Sequence, residues 1–320
     1  GNSTFILYLI MILAAKEVNV RTIVKLTCII QGAMLLSIVA MSQIGIIPDY
    51  IFDASTRQRH GLGFLWTTTG AILYFYFMVL YIYLREERAH LIEYVILEAV
   101  NFGLYKLTDA RMSFYLSTLL LIYVYVMRFY WQNRKDRIRK NRLLIGAPAF
   151  FCILAVACQI FYIPTDARWQ KINSVLSGRL ELGCFGWRDY GFSLLGTKIE
   201  WIGFSHNATA GTYNYVDCSY MQILLENGLI PLIIIIAVYT YIMYMAVKEK
   251  DFYLQTAVLL ITAFSITEPR LLNLAYNPLP FFGITYISLR GRSALFHREG
   301  HRLNRRVRFR TTHVRLKARK

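Results

Sequence analysis

Arg111 and Arg270 lie at the ends of long apolar runs, and Arg59 and Arg179 fall in the polar connections between such runs. A guanidinium at such a boundary offers a planar fork that grips phosphate oxygens in pairs. Asp217 stands at the head of another apolar run and is suited to take a proton from a hydroxyl, with His60 and His206 as reserves for that role. Arginines and a base together make one kind of chemistry. They stabilise the negative charge that develops on a phosphate leaving group, without a metal, while an incoming hydroxyl is deprotonated. The competing reading is structural. Asp109 sits beside Arg111 and Glu268 beside Arg270, so each can close as a local ion pair. A lone loop histidine is most simply a solvated side chain.

The elements that must position these residues are apolar helices. The chain has 320 residues, 56% of them hydrophobic, with a mean hydropathy of +0.39. Runs of bilayer-crossing length, about 17–25 residues, recur along it. They do not alternate apolar and polar residues as barrel strands do. The expected fold is all-α: one polytopic transmembrane domain over residues 1–290 and a basic tail over 291–320. About nine spans are expected, at roughly 3–15, 22–44, 64–84, 91–107, 112–130, 143–163, 219–247, 253–270 and 275–290. Residues 5–15 are short for a full span and no basic region precedes them, so the start reads as a truncated or processed end rather than a signal peptide. On that reading, helices upstream of Gly1 are missing.

Basic residues in the connections give an orientation. Lys16, Arg21 and Lys25, then Arg85 and Arg88, the cluster from Arg134 to Arg142, Lys248 and Lys250, and the tail all fall on one side when nine spans alternate. The positive-inside rule makes that side cytoplasmic. Residues 290–320 hold twelve Lys/Arg and one acid, which is +11 of the net +17. This reads as an anchor on anionic lipid, not as a nucleic-acid surface. The connections 45–63, 108–111, 164–218 and 271–274 then face outward. Loop 164–218 is long for an idle connection, and "WQKINSVLSG" within it reads as an amphipathic helix on the interface.

The stretch from Ser219 to Val247 reads as one helix of 29 residues. At 1.5 Å per residue it spans about 43 Å against a hydrocarbon core of about 30 Å, so its start projects outward. Asp217 then reads as an N-cap as well as a candidate base, and Glu226 and Asn227 lie near the surface. Glu98, mid-span, is either protonated and hydrogen-bonded or a transport or proton site, and Lys106 snorkels outward. Cys28, Cys152 and Cys158 read as small core residues, while Cys184 and Cys218 are close enough to one loop to pair. No Cys/His spacing resembles a zinc site. The Asn207-Ala208-Thr209 sequon carries weight only in a eukaryotic secretory protein.

Four stretches, in order, resemble the O-antigen polymerase/ligase superfamily, especially its Wzy-type oligosaccharide repeat-unit polymerases of bacterial capsule and exopolysaccharide clusters. "RHGLGF" (59–64) is similar to an external Arg-x-x-x-Gly-Phe segment, and "LTDARMSF" (107–114) to a Thr/Ser-x-x-Arg turn between spans. "SGRLELGCFGWRDYGFSLLG" (177–196) resembles the Ser-Gly-Arg helix of the large outer loop. "DCSYMQILLENGLIPL" (217–232) resembles the Asp/His-x-Ser-Tyr start of a late span. Two departures stand out: Trp66-Thr67-Thr68 replaces a His-Pro-Asn after the first motif, and Asp217 stands where the ligases carry histidine.

The resemblance implies a GT-C-like, metal-independent membrane glycosyltransferase without a cofactor. It would polymerise polyprenyl-diphosphate-linked oligosaccharide repeat units into surface polysaccharide at the outer face of the bacterial cytoplasmic membrane. Arg59, Arg111, Arg179 and Arg270 would bind the diphosphate, and Asp217, His60 or His206 would supply the base. Membrane lipid, a chain-length regulator and a flippase are the implied partners, and the C-terminus is cytoplasmic. The alternatives are ligase-type glycan transfer, a transporter or flippase of lipid-linked oligosaccharide, and a non-enzymatic membrane scaffold. A transporter would lean on Glu98, and inverted repeats are not visible; a scaffold would not need the outward arginines. No Walker loop or zinc-protease motif points to an ATP-driven or metal enzyme.

Overall fold

The computed structural model describes residues 3–54, 57–138, 142–203 and 213–288. It is mostly helical, 71% of residues lying in helices. In chain order these are α1 (Ser3–Ala14), α2 (Val20–Gln43), α3 (Thr69–Arg85), α4 (Leu91–Thr108), α5 (Arg111–Ile138), α6 (Ala147–Ile160), α7 (Ala167–Val175), α8 (Arg179–Tyr190), α9 (Ser219–Glu226), α10 (Leu229–Lys248), α11 (Phe252–Phe264) and α12 (280–288). Among the described residues, three apolar segments are long enough to cross a membrane: α2, the stretch Arg142–Ile160 and α10.

Helix α3 is the axis of the fold. It is a run of aromatic and aliphatic residues with no polar stripe, so it is stable only when packed on every side. Its neighbours are α2, α4, α5 and α11. Tyr76 and Phe75 are fully buried and their rings meet Phe264 and Tyr276. Buried tyrosines find partners in the irregular chain after α11: Tyr239 donates to Leu271 O at 2.8 Å, and Asn277 donates to the Tyr239 hydroxyl at 2.7 Å. These bonds hold residues 265–279, which carry Glu268 and Arg270, against the bundle.

The connections and the late span differ from expectation or settle open alternatives. The fold is not wholly helical: Ile51–Ala54 (β1) and Arg57–His60 (β2) form an antiparallel hairpin in the connection 45–63. The connection 164–218 contains α7 and also α8, the latter within the stretch that resembles a Ser-Gly-Arg helix. The helix expected over 219–247 is broken at Asn227–Gly228 into α9 and α10. Gly228 adopts φ +96°, which only glycine takes without strain. Residues 193–197 dock into that break. Leu229 N and Ile230 N donate to the Ser193 and Leu194 carbonyls at 3.0 and 3.1 Å, and Thr197 N donates to Leu225 O at 3.1 Å. The exposed donors of the α10 N-terminus are thereby satisfied by a separate segment. Finally, Cys184 and Cys218 are both buried and both free thiols.

The Ala167–Val175 helix agrees with expectation, Asp166 capping it through Arg168 N at 2.7 Å. Glu98 is hydrogen-bonded, as one of its two readings holds: Thr118 donates to it at 2.7 Å and Asn101 at 3.2 Å, tying α4 to α5. The tail 291–320 and the sequon lie outside the described residues.

Candidate functional site

A cavity of about 600 Å³ opens at one end of α3, within the range typical of small-molecule sites. The four sequence-predicted arginines all line it, as do Asp217 and Glu268. They come from separate segments: β2, the α4–α5 turn, the start of α8, the chain before α9 and the chain after α11.

Each arginine is fixed differently. Arg59 Nε donates to the Thr108 carbonyl at 2.9 Å, joining the hairpin to the end of α4. Asp109 turns the chain with φ +49° and lies 3.4 Å from Arg111 Nε, in a half-exposed pair. Arg179 is held most firmly. Its Nε donates to Thr267 O at 2.8 Å, its Nη2 bonds Glu268 Oε1 at 2.9 Å, and Asp217 Oδ2 lies 3.7 Å from Nε. Arg270 does not pair with Glu268 as the sequence suggested. Its guanidinium lies over the Tyr276 ring at 5.0 Å, and its buried Nε has no hydrogen-bond partner among the described residues. An unsatisfied guanidinium donor is costly to bury, so it marks a place where an acceptor belongs.

Helix termini add to the positive field. The first residues of α3, α5 and α8 line the same cavity. Their dipoles favour an anion there. Thr68, the N-cap of α3, supplies no side-chain cap bond; at α8 the first-turn donors are already taken, Asn173 Oδ1 accepting from Leu180 N at 3.1 Å and Glu181 N at 3.3 Å. Arginine at the first position of α5 and of α8 opposes the helix dipole, a cost that makes sense when the charge is needed in the cavity.

The carboxylates are strained electrostatically. Burial pushes Glu268 up to about 7, against the pull of Arg179 and with Asp217 pushing the same way. Burial also raises Asp217 above the usual carboxylate range, opposed by Arg179 and Arg270. Glu268 is therefore able to accept and release a proton near neutral pH, and Asp217 is displaced in the same direction. Asp217 does not cap α9: the N-cap is Cys218, without a side-chain cap bond, and Asp217 turns to Arg179 instead.

Of the two histidines, His60 is outside the cavity lining, its Nδ1 2.6 Å from Asp49 Oδ2. His206 lies outside the described residues. Sequence reasoning missed Glu268 as a cavity group, having paired it with its near neighbour; its position before a proline, in "TEPR", was the available signal. It also missed Trp66, Thr67 and Thr68, which line the cavity where they had been noted only as a departure. Among the described residues there is no cluster of three or more His, Cys, Asp or Glu able to hold a metal. Searches against protein-family models, curated proteins and solved structures return no match to this chain.

Proposed function

We propose that the chain is a metal-independent membrane glycosyltransferase that polymerises polyprenyl-diphosphate-linked oligosaccharide units, with the cavity as its reaction site. The proposal includes a nine-span GT-C-like topology, the cavity facing the outer side of a bacterial cytoplasmic membrane and the tail facing the cytoplasm. The observation that carries it is the convergence of four arginines on one cavity, one of them with an unsatisfied buried donor. A diphosphate leaving group develops charge as the anomeric bond breaks. Preorganised guanidinium donors and helix dipoles stabilise that charge at little reorganisation cost. Asp217, 3.7 Å from Arg179, takes the proton of the attacking sugar hydroxyl. Glu268 anchors Arg179 and so positions it.

Arg→Lys keeps the charge and loses the fork. Arg111→Lys and Arg179→Lys are each expected to cut surface polymer by about tenfold or more, equivalent to about 1.4 kcal/mol or more. Membrane abundance should stay normal. Full polymer with lysine at both positions would reduce these arginines to structural pairs and remove the proposal.

A further inference from the structure

The arginines and carboxylates account for only part of the cavity. Four aromatic side chains, Trp66, Trp201, Tyr213 and Tyr215, line it as well. They belong to two segments far apart in sequence, and those segments are braced. Trp201 meets Tyr215 and Tyr190 edge-on, each at 6.0 Å between centroids. Its Nε1 donates to Glu226 at 3.1 Å, so the indole N–H is occupied and the ring is fixed. Asn214 locks the strand-like pair of segments by accepting from Ile202 N at 2.6 Å and donating to Glu200 O at 3.0 Å and the Tyr190 hydroxyl at 2.8 Å. Gly203 lies flat against Trp66: a Cβ there would come within 3.2 Å of the indole. The two tryptophan-bearing segments are thus packed together through a residue with no side chain.

Aromatic residues in apolar proteins commonly form a belt at the membrane boundary. A belt faces lipid, whereas these rings share a cavity with four arginines and two buried carboxyl groups. An alkyl chain has no affinity for such a mixed surface. A pyranose ring has: its C–H face is apolar and slightly positive and packs on the negative π face of an indole, while its hydroxyls need hydrogen-bond partners at the rim. Those partners are present in Thr67, Thr68 and Tyr213. Burial raises both Tyr213 and Tyr215, so their phenols stay protonated donors at neutral pH.

We propose that Trp66 and Trp201 form a carbohydrate platform that seats the glycan next to the diphosphate held by the arginines. The inference rests on the diphosphate-glycan reading above and adds where the sugars lie. Trp66 opens one of the two motif departures.

The test uses the full chain in phospholipid nanodiscs and two probes: undecaprenyl diphosphate, and glycan-bearing undecaprenyl diphosphate extracted from cells of the source organism. Trp66→Leu should weaken the glycan-bearing probe by about tenfold, which is about 1.4 kcal/mol, and leave the bare diphosphate within about twofold. Trp66→Phe, which keeps a π face, should restore most of the lost affinity. Arg270→Gln should weaken both probes alike. If Trp66→Leu weakens both probes equally, or neither, or if phenylalanine does no better than leucine, the platform is wrong while the diphosphate reading stands. If wild type binds neither probe, the diphosphate reading fails and the platform falls with it.

Discussion

The two ends of α3 handle charge in opposite ways. At the Arg85 end, arginines close on nearby carboxylates. Arg85 grips both oxygens of Glu93, at 2.8 and 2.5 Å; Glu93 also accepts from the Tyr81 hydroxyl at 2.5 Å and from His90 N at 3.0 Å; Arg21 pairs with Glu86 at 2.7 Å. At the Thr69 end, about 25 Å away by helix rise, the arginines come from four segments and surround a cavity. There the Arg270 Nε is unsatisfied, and burial holds the Asp217 and Glu268 carboxyls above their ordinary range. A set of charges built only for stability would resemble the first end. The second bears costs that stability does not require, and such costs collect at functional sites.

The sharpest way to break this contrast is Asp217→Asn, which keeps shape and removes the proton acceptor. Since Asp217 makes no cap bond, the variant should keep its membrane abundance. Polymer should fall by roughly 10²-fold or more, the usual worth of an acid–base group. Full-length ladders on cells expressing the variant would show that Asp217 is not the base.

Much of this contrast was legible in the sequence, because it depends on where charges interrupt apolar runs. Arg111, Arg270 and Asp217 were identifiable as residues at the ends of such runs, Arg59 and Arg179 only through the motif resemblance, and all five line the cavity. Most helix boundaries fell within a few residues of those expected for the same reason. What stayed hidden were matters of three-dimensional pairing. Glu268 is near Arg270 in sequence but bonds Arg179, 89 residues away. The break at Gly228 looked like one tolerated glycine inside a helical run; only the docked segment 193–197 explains it. The β1–β2 hairpin was lost inside a connection because it is neither long nor strongly periodic.

Gly228 gives the next prediction. A Cβ there would sit 2.4 Å from Gly196 N and 2.5 Å from Leu194 O, on a backbone at φ +96°. Gly228→Ala should cost about 2 kcal/mol or more, read as a lower melting temperature in detergent. Gly103→Ala on α4 meets nothing within 4 Å and should be neutral or stabilising by up to ~1 kcal/mol. Equal effects at the two glycines would mean that the 193–197 segment does not lock the break.

At the paired end, Arg85→Gln should lower stability by leaving Glu93 without its cation, yet keep polymer yield per molecule of protein within about twofold. A loss as large as that from Arg179→Lys would erase the distinction between the ends.

The smallest effect expected is in pH dependence. Glu268 carries a folded-state value of about 7 against an ordinary 4.5. The folded state therefore binds the extra proton between these values, and stability falls as pH rises through that window. Wild type should lose melting temperature relative to Glu268→Gln between about pH 4.5 and pH 7, with a constant difference on either side. A difference that grows in favour of wild type over that interval would mean that Glu268 is ionised and stabilised by Arg179 instead.

The central claim is that the arginine cavity binds diphosphate, and equilibrium binding of undecaprenyl diphosphate to the full chain tests it most directly. Wild type should bind, with an affinity that weakens as salt rises. Arg270→Lys should bind about tenfold less tightly and Arg21→Lys as well as wild type. Binding that is the same in all three proteins, or weakened equally by both substitutions, would contradict the account.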